Sequence, residues 1–138
     1  MRRPGTSDQA LVHDLVFAGL RELAIGRGGR LYLDDLANYL CVTGDDLVDA
    51  VTSEVMSQGF LTDDAVAVAI DGLALIYVDP AKRRQRTGTA LYRALWEDGN
   101  VELWTKPGDR TAKSFAESLG LKARLLIMSA EQSPNDAQ

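Results

Sequence analysis

This chain is poor in the residues that build metal centres and covalent cross-links. It has one cysteine, Cys41, and one histidine, His13, in 138 residues. A single cysteine excludes an intrachain disulfide and makes the reducing cytoplasm the default setting. One Cys with one His cannot supply a Cys/His zinc site, so no metal is expected. Cys41 follows Leu40 in a helical apolar pattern and reads as a buried core thiol. Long apolar runs are missing as well, since none approaches the roughly 20 residues that span a bilayer. Residues 8–24 alternate apolar residues with Asp and Glu, unlike the apolar stretch of a signal peptide, and no membrane partner is expected. Aromatic residues make up only 7% of the chain, and Trp96 and Trp104 read as core residues rather than stacking platforms.

Cations are scarce in the first half. Residues 1–64 carry 5 Lys/Arg against 11 Asp/Glu, whereas residues 65–138 carry 10 against 9, bunched at 82–86. An acidic half repels a phosphate backbone, which speaks against nucleic acid as its partner. What is present is ordinary globular composition, 46% hydrophobic and 25% charged. That suits one domain, or two very small units sharing a core.

The pattern divides the chain into four parts. Residues 1–7 are polar and expected to be flexible. Residues 8–61 are helical. Ser7 is a cap candidate, and Leu11, Val12, Leu15, Val16, Leu20 and Leu23 form one stripe up to Gly26-Arg27-Gly28-Gly29. Arg30-Leu31-Tyr32 reads as a short extended piece before a second helix with Leu33, Leu36, Ala37 and Leu40 inward. Thr43 reads as the N-cap of a third helix, with Leu47, Val48, Val51 and Val55 buried and Gly59 at its end. Residues 62–128 switch to a strand period. Ala65–Ile70 and Leu73–Val78 flank Asp71-Gly72, a two-residue hairpin signal. A helix over about 87–97, a strand over 101–105, a helix capped by Asp109 and ended by Gly120, and a last strand over 121–128 follow. Residues 129–138 have no apolar pattern and read as a flexible tail.

The helical region resembles a winged helix-turn-helix through Leu33-Asp34-Asp35-Leu36-Ala37, Val42-Thr43, Leu47, Val51, Val55 and Gly59-Phe60-Leu61. The resemblance implies that the helix after Thr43 would enter a DNA groove. Its expected exposed face, Gly44, Asp45, Asp46, Asp49, Thr52, Ser53 and Glu54, has four carboxylates and no cation. Such a face opposes phosphate contact and fits a protein partner or a solvated surface better.

The centre of the second half is the turn from Val78 to Leu91. A strand runs in and a helix runs out, with Lys82, Arg83, Arg84 and Arg86 between them. Such a turn aims backbone N–H groups and a helix N-terminus at one spot, which suits phosphate. Val78, Pro80, Arg83, Gly88 and Leu91 match, without a gap, the strand-turn-helix pattern of the GNAT acetyltransferases. Asp109, Ala112, Phe115, Gly120 and Leu121 echo that family's later pattern. The chain thus resembles the C-terminal half of the GNAT superfamily, over about 65–128, with a degenerate motif.

The resemblance implies an α/β (α+β) fold in which a winged-helix-like unit packs on a GNAT-like mixed sheet with two helices. It implies acetyl-CoA as cofactor and acetyl transfer to an amine, borne by a small molecule or a protein. Tyr77 and Val78 would hold pantetheine, and Arg83, Arg84, Gln85, Arg86, Thr87, Gly88, Thr89 and Ala90 the pyrophosphate. Arg86 stands where the gapless register has the first turn glycine, although a shifted register starting at Gln85 would use Gly88 and Ala90. Asp109 stands for the usual Asn and Ala116 for the usual Tyr, and no catalytic base is identified. Two other functions stay open. One is a non-catalytic GNAT-like protein acting through macromolecular binding, with the acidic N-terminal helices as a protein surface. The other is a winged-helix DNA-binding regulator.

Overall fold

Valine and isoleucine alternate with alanine along Ala65–Ile70, and that alternation sets the architecture. A strand points successive side chains to opposite faces. Val66, Val68 and Ile70 enter one core, and Ala65, Ala67 and Ala69 enter another. The computed structural model describes residues 1–97 and 99–130. Within them the fold is α+β, with five helices and a three-stranded antiparallel sheet. The helices are α1 (Gln9–Ala24), α2 (Gly29–Tyr39), α3 (Leu47–Gln58), α4 (Thr87–Glu97) and α5 (Arg110–Ser118). The strands are β1 (Phe60–Leu61), β2 (Ala65–Ile70) and β3 (Leu73–Val78), in that spatial order.

The Val/Ile face carries α1 and α3, and the alanine face carries α4. Alanine allows a helix to approach the sheet closely, so the bulk on that side comes from Leu91, Tyr92 and Leu95 of α4. On the other side Val12, Leu15, Val16 and Leu20 of α1 are buried, together with Leu36 of α2 and Leu47, Val51 and Val55 of α3. Burying a Leu or Val side chain contributes about 1.5–3 kcal/mol. These stripes therefore outweigh any surface ion pair in holding the helices.

The Asp71-Gly72 hairpin forms as its sequence signals. Both residues have positive φ, 49° and 86°, and Ile70 pairs with Leu73. The N-terminal residues are tied to the sheet. Arg2 exchanges backbone hydrogen bonds with Leu61, and Arg3 donates to the Gln58 carbonyl and lies over Phe60. The Asp8 carboxylate accepts from the Gly5 N–H at 2.8 Å and from Arg2 at 2.9 Å, and these contacts lower its pKa in that order.

Several expectations require correction. Residues 30–32 are the first turn of α2, because left-handed Gly28 (φ 76°) starts the helix and its carbonyl accepts from the Tyr32 N–H. A 3-10 turn, Gly44–Asp46, follows Thr43, so α3 starts at Leu47, and Thr43 Oγ1 bonds the Asp46 carboxylate. Ser7 lies inside a short 3-10 turn and makes no cap. Thr52 is buried, not exposed, and its hydroxyl has no partner among the described residues. Cys41 is exposed: it leaves α2 in a left-handed conformation (φ 58°) that turns its side chain off the apolar stripe. Trp96 is 48% exposed on the outer face of α4.

The expected strand 101–105 pairs only at Glu102, whose N–H donates to Gly72 and whose carbonyl accepts from Ala74. The expected strand 121–128 does not form, and Leu125 to Met128 are 66–81% exposed. A strand needs a neighbour to pair its backbone, and residues 103–105 leave the sheet before they can offer one. The sheet is therefore antiparallel with one parallel bridge, Leu73 to Glu102, rather than a larger mixed sheet. Among the described residues no helix is long and apolar enough to cross a membrane. The expected flexible tail lies outside the described residues from 131 onward.

Candidate functional site

The site begins with the edge of β3 that faces away from β2. In an antiparallel ladder the hydrogen-bonding groups alternate between the two sides of the strand. The Asp79 N–H donates to the Asp64 carbonyl and the Ala74 N–H to Glu102, so the groups of Ala74, Ile76 and Val78 point to the far edge. The Ala74 N–H is paired there, and the Val78 carbonyl accepts from Arg83 Nε at 3.0 Å. The Ile76 N–H and carbonyl and the Val78 N–H have no partner among the described residues. The backbone pairing thus stops after Glu102 and leaves a gap in the hydrogen-bond ladder between β3 and residues 103–105.

Trp104 accounts for the divergence. Its ring meets Tyr32 and Tyr39 of α2 edge-on, with centroids 6.0 and 5.3 Å away. Aromatic pairs of this geometry contribute about 0.5–1.5 kcal/mol each beyond area burial. They draw the segment toward α2 and off β3. Burial raises the Tyr32 hydroxyl to about 12, with a smaller contribution from Asp109.

At the end of β3, Asp79 accepts from the Ala81 N–H and starts the 3-10 turn Pro80–Lys82. Arg84 and Arg86 then adopt left-handed backbone, φ 68° and 63°. That region favours glycine, and Arg86 occupies it at the position where the gapless register has a glycine. Gly88 lies at the start of α4. A Cβ there would stand 3.2 Å from Phe115 Cε1 and 3.9 Å from Val78 Cγ2. Gly88 and Phe115, 27 positions apart, therefore meet in space.

The N–H groups of Thr87, Gly88 and Thr89 have no acceptor among the described residues, and Ala90 N–H is the first to bond within the helix, to Arg86. In α5, by contrast, the Asp109 side chain accepts from the Ala112 N–H. Lys82, Arg84, Gln85, Arg86 and Ala90 are exposed, and Thr87, Gly88 and Thr89 are half-buried. None of the three exposed cations makes an ion pair among the described residues. The turn concentrates donors and positive charge without an acceptor among the described residues.

Arg83 behaves differently from its neighbours. It bonds the Val78 carbonyl, pairs with Glu22 of α1 at 2.7 Å, and lies 5.7 Å over the Tyr77 ring. The Glu22 bond is the main cause of its raised pKa. Tyr77 faces α1, where a Cβ on Gly19 would stand 3.0 Å from Tyr77 Cβ. Desolvation first, then Glu22, raises the Tyr77 pKa. Val78 faces the opposite core, toward α4 and Phe115. Tyr77 and Val78 thus lie on opposite faces of β3. The Tyr92 hydroxyl is buried and donates to the Val101 carbonyl at 3.2 Å.

Two site contacts were not legible in the sequence. Glu22 reaches Arg83 across 61 positions, and Lys106 Nζ reaches the carbonyls of Leu23 and Ile25 across 83 and 81 positions. No local pattern marks either pair. Two cavities lie off the turn 83–90, the second of them beside the Lys106 contact. One of about 450 Å³ adjoins Arg3, Ser57, Gln58 and Asn100, and one of about 420 Å³ adjoins Arg27, Lys106 and Asp109. No family model, curated protein or solved structure matches the chain.

Proposed function

We propose that the protein binds an acyl-CoA, acetyl-CoA in the simplest case, with the pyrophosphate on the turn 83–90 and the pantetheine beside Ile76 and Val78. The observation that carries this reading is the set of three N–H groups at the start of α4, Thr87 to Thr89, beside the cations Lys82, Arg84 and Arg86, all without partners among the described residues. Amides at a helix N-terminus and adjacent guanidinium groups are strong phosphate donors. The open groups of Ile76 and Val78 match the amides of an extended pantetheine arm. The Val78 N–H is the donor nearest to a thioester carbonyl laid along that edge, and such a donor stabilises developing negative charge.

Transfer of the acetyl group to an amine belongs to this reading as its catalytic form. A binding protein without turnover is its second form. That form is favoured by Ala116 in place of the tyrosine, by the Tyr92 hydroxyl turned to Val101, and by Arg83 on the Val78 carbonyl. A DNA-reading role for α3 is disfavoured by the exposed Asp45 and Asp46 in the turn before it and by exposed Asp49 in its first turn.

Isothermal titration with CoA and acetyl-CoA tests the reading. Saturable binding that weakens with salt and is lost in Arg84→Gln/Arg86→Gln supports it. Absence of heat at millimolar ligand refutes it. A thiol-release assay with polyamine, amino-acid and peptide acceptors then separates the catalytic from the non-catalytic form.

A further inference from the structure

The last turn of α1 differs from the rest of that helix. Val12, Leu15, Val16 and Leu20 anchor the first three turns in the core, but Glu22, Ala24 and Ile25 are exposed and Leu23 is only half-buried. Polar contacts hold this end instead, and they fall on the two sides of the gap. Glu22 takes Arg83, which also holds the Val78 carbonyl at the end of β3. Lys106, just beyond the diverging segment, donates to the Leu23 carbonyl at 2.9 Å and the Ile25 carbonyl at 2.8 Å. Lys106 thereby satisfies carbonyls at a helix C-terminus, where a cation is also favoured by the helix dipole.

We propose that residues 22–25 form a latch across this gap, and that an anionic ligand at the turn opens it by taking Arg83 from Glu22. The inference rests on the acyl-CoA reading for the identity of the anion, but not for the latch itself. Glu22 and a bound phosphate are competing acceptors for one guanidinium, and a carboxylate held at 2.7 Å is a strong competitor. When Arg83 swings to phosphate it also releases the Val78 carbonyl, which becomes available to an extended amide-bearing ligand. Ligand capture and exposure of the β3 edge are thus one event. Because the end of α1 has little buried apolar surface, it can lift while the first three turns stay in place. Coupling of this kind is reciprocal, so weakening the latch must tighten ligand binding.

The test uses Glu22→Gln, Arg83→Gln and Lys106→Met in the full chain, read by amide hydrogen exchange and by CoA titration. All three variants should exchange faster at residues 23–26, with residues 12–16 unchanged. Glu22→Gln should bind CoA about twofold to fivefold tighter, the range an exposed ion pair commands. Arg83→Gln should bind more weakly, because both the latch and a phosphate donor are lost. Unchanged exchange at residues 23–26 in Glu22→Gln and Lys106→Met overturns the latch, whether or not CoA binds. Faster exchange with equal or weaker CoA binding by Glu22→Gln overturns the competition. Faster exchange with no CoA bound by any variant supports the latch, and removes the acyl-CoA reading alone.

Discussion

Gly88 and Phe115 fit together so closely that a single added carbon at residue 88 would stand 3.2 Å from the ring. The contact joins the first turn of α4 to α5 beside the end of β3. Gly88→Val places two further carbons in this space and should destabilise the protein by about 1–3 kcal/mol through overpacking. The same change in a Phe115→Ala background should cost less, with a coupling of about 1 kcal/mol in a denaturant double-mutant cycle. Additive effects would mean that the ring is not what excludes the side chain.

Arg86 holds a left-handed backbone conformation that an arginine adopts at a cost. Arg86→Gly removes that cost and loosens the unfolded chain, with opposite effects on stability. The strain relief is the larger, at roughly 1–2 kcal/mol, so stability should hold or rise by up to about 1 kcal/mol. Arg86→Val should lower it by more than about 1 kcal/mol, since β-branched residues tolerate this region worst. Thermal unfolding of the pair provides the check. In CoA titration Arg86→Gly should bind more tightly if the backbone at residue 86 approaches the pyrophosphate, and more weakly if the side chain holds it.

Gly19 packs against Tyr77 with no room for a methyl group, since a Cβ would stand 3.0 Å from both Tyr77 Cβ and Cγ. Gly19→Ala has the helix propensity in its favour by about 1 kcal/mol. The clash is with the root of a side chain fixed on a strand, which cannot swing away. Net destabilisation of about 1–2 kcal/mol is expected, measured by urea unfolding. A stabilised variant would refute the close α1–β3 packing.

Tyr32 should make the fold sensitive to strong base. Its hydroxyl is raised from its ordinary value of 10.0 to about 12, chiefly by burial. A raised folded pKa means that the folded state binds the proton more tightly. Its contribution is therefore complete below about pH 10 and is lost as pH rises toward 12. A loss of roughly 2 kcal/mol is expected over that window. Tyr32→Phe should flatten this part of the stability profile, followed by urea midpoints between pH 9 and 12.

The elements whose signals are local were legible in the sequence. The Asp71-Gly72 hairpin, helix 87–97 and the Asp109 cap of α5 all appear where the residues place them. The clustering of Arg83, Arg84 and Arg86 close before Gly88, between a strand and a helix, is also a local signal. Errors arose at ends and edges. Cys41 sits one residue beyond an apolar stripe, and a left-handed turn moved it from core to surface. Residues 121–128 have strand-forming side chains, but strand formation depends on a partner that the local sequence does not specify.

The sequence by itself determined the helices, the hairpin and the two faces of β2, because side-chain periodicity fixes which residues share a face. It also determined the concentration of cations between a strand and a helix. Only the tertiary structure decided the shape of the gap beside β3. Trp104 had to meet Tyr32 and Tyr39 to pull residues 103–105 from the sheet, and Glu22 had to meet Arg83 to set it apart from Lys82, Arg84 and Arg86. Those partners are 61 to 72 positions apart for Trp104–Tyr32 and Arg83–Glu22. Contacts at that separation follow from how the layers stack, and no run of neighbouring residues encodes them.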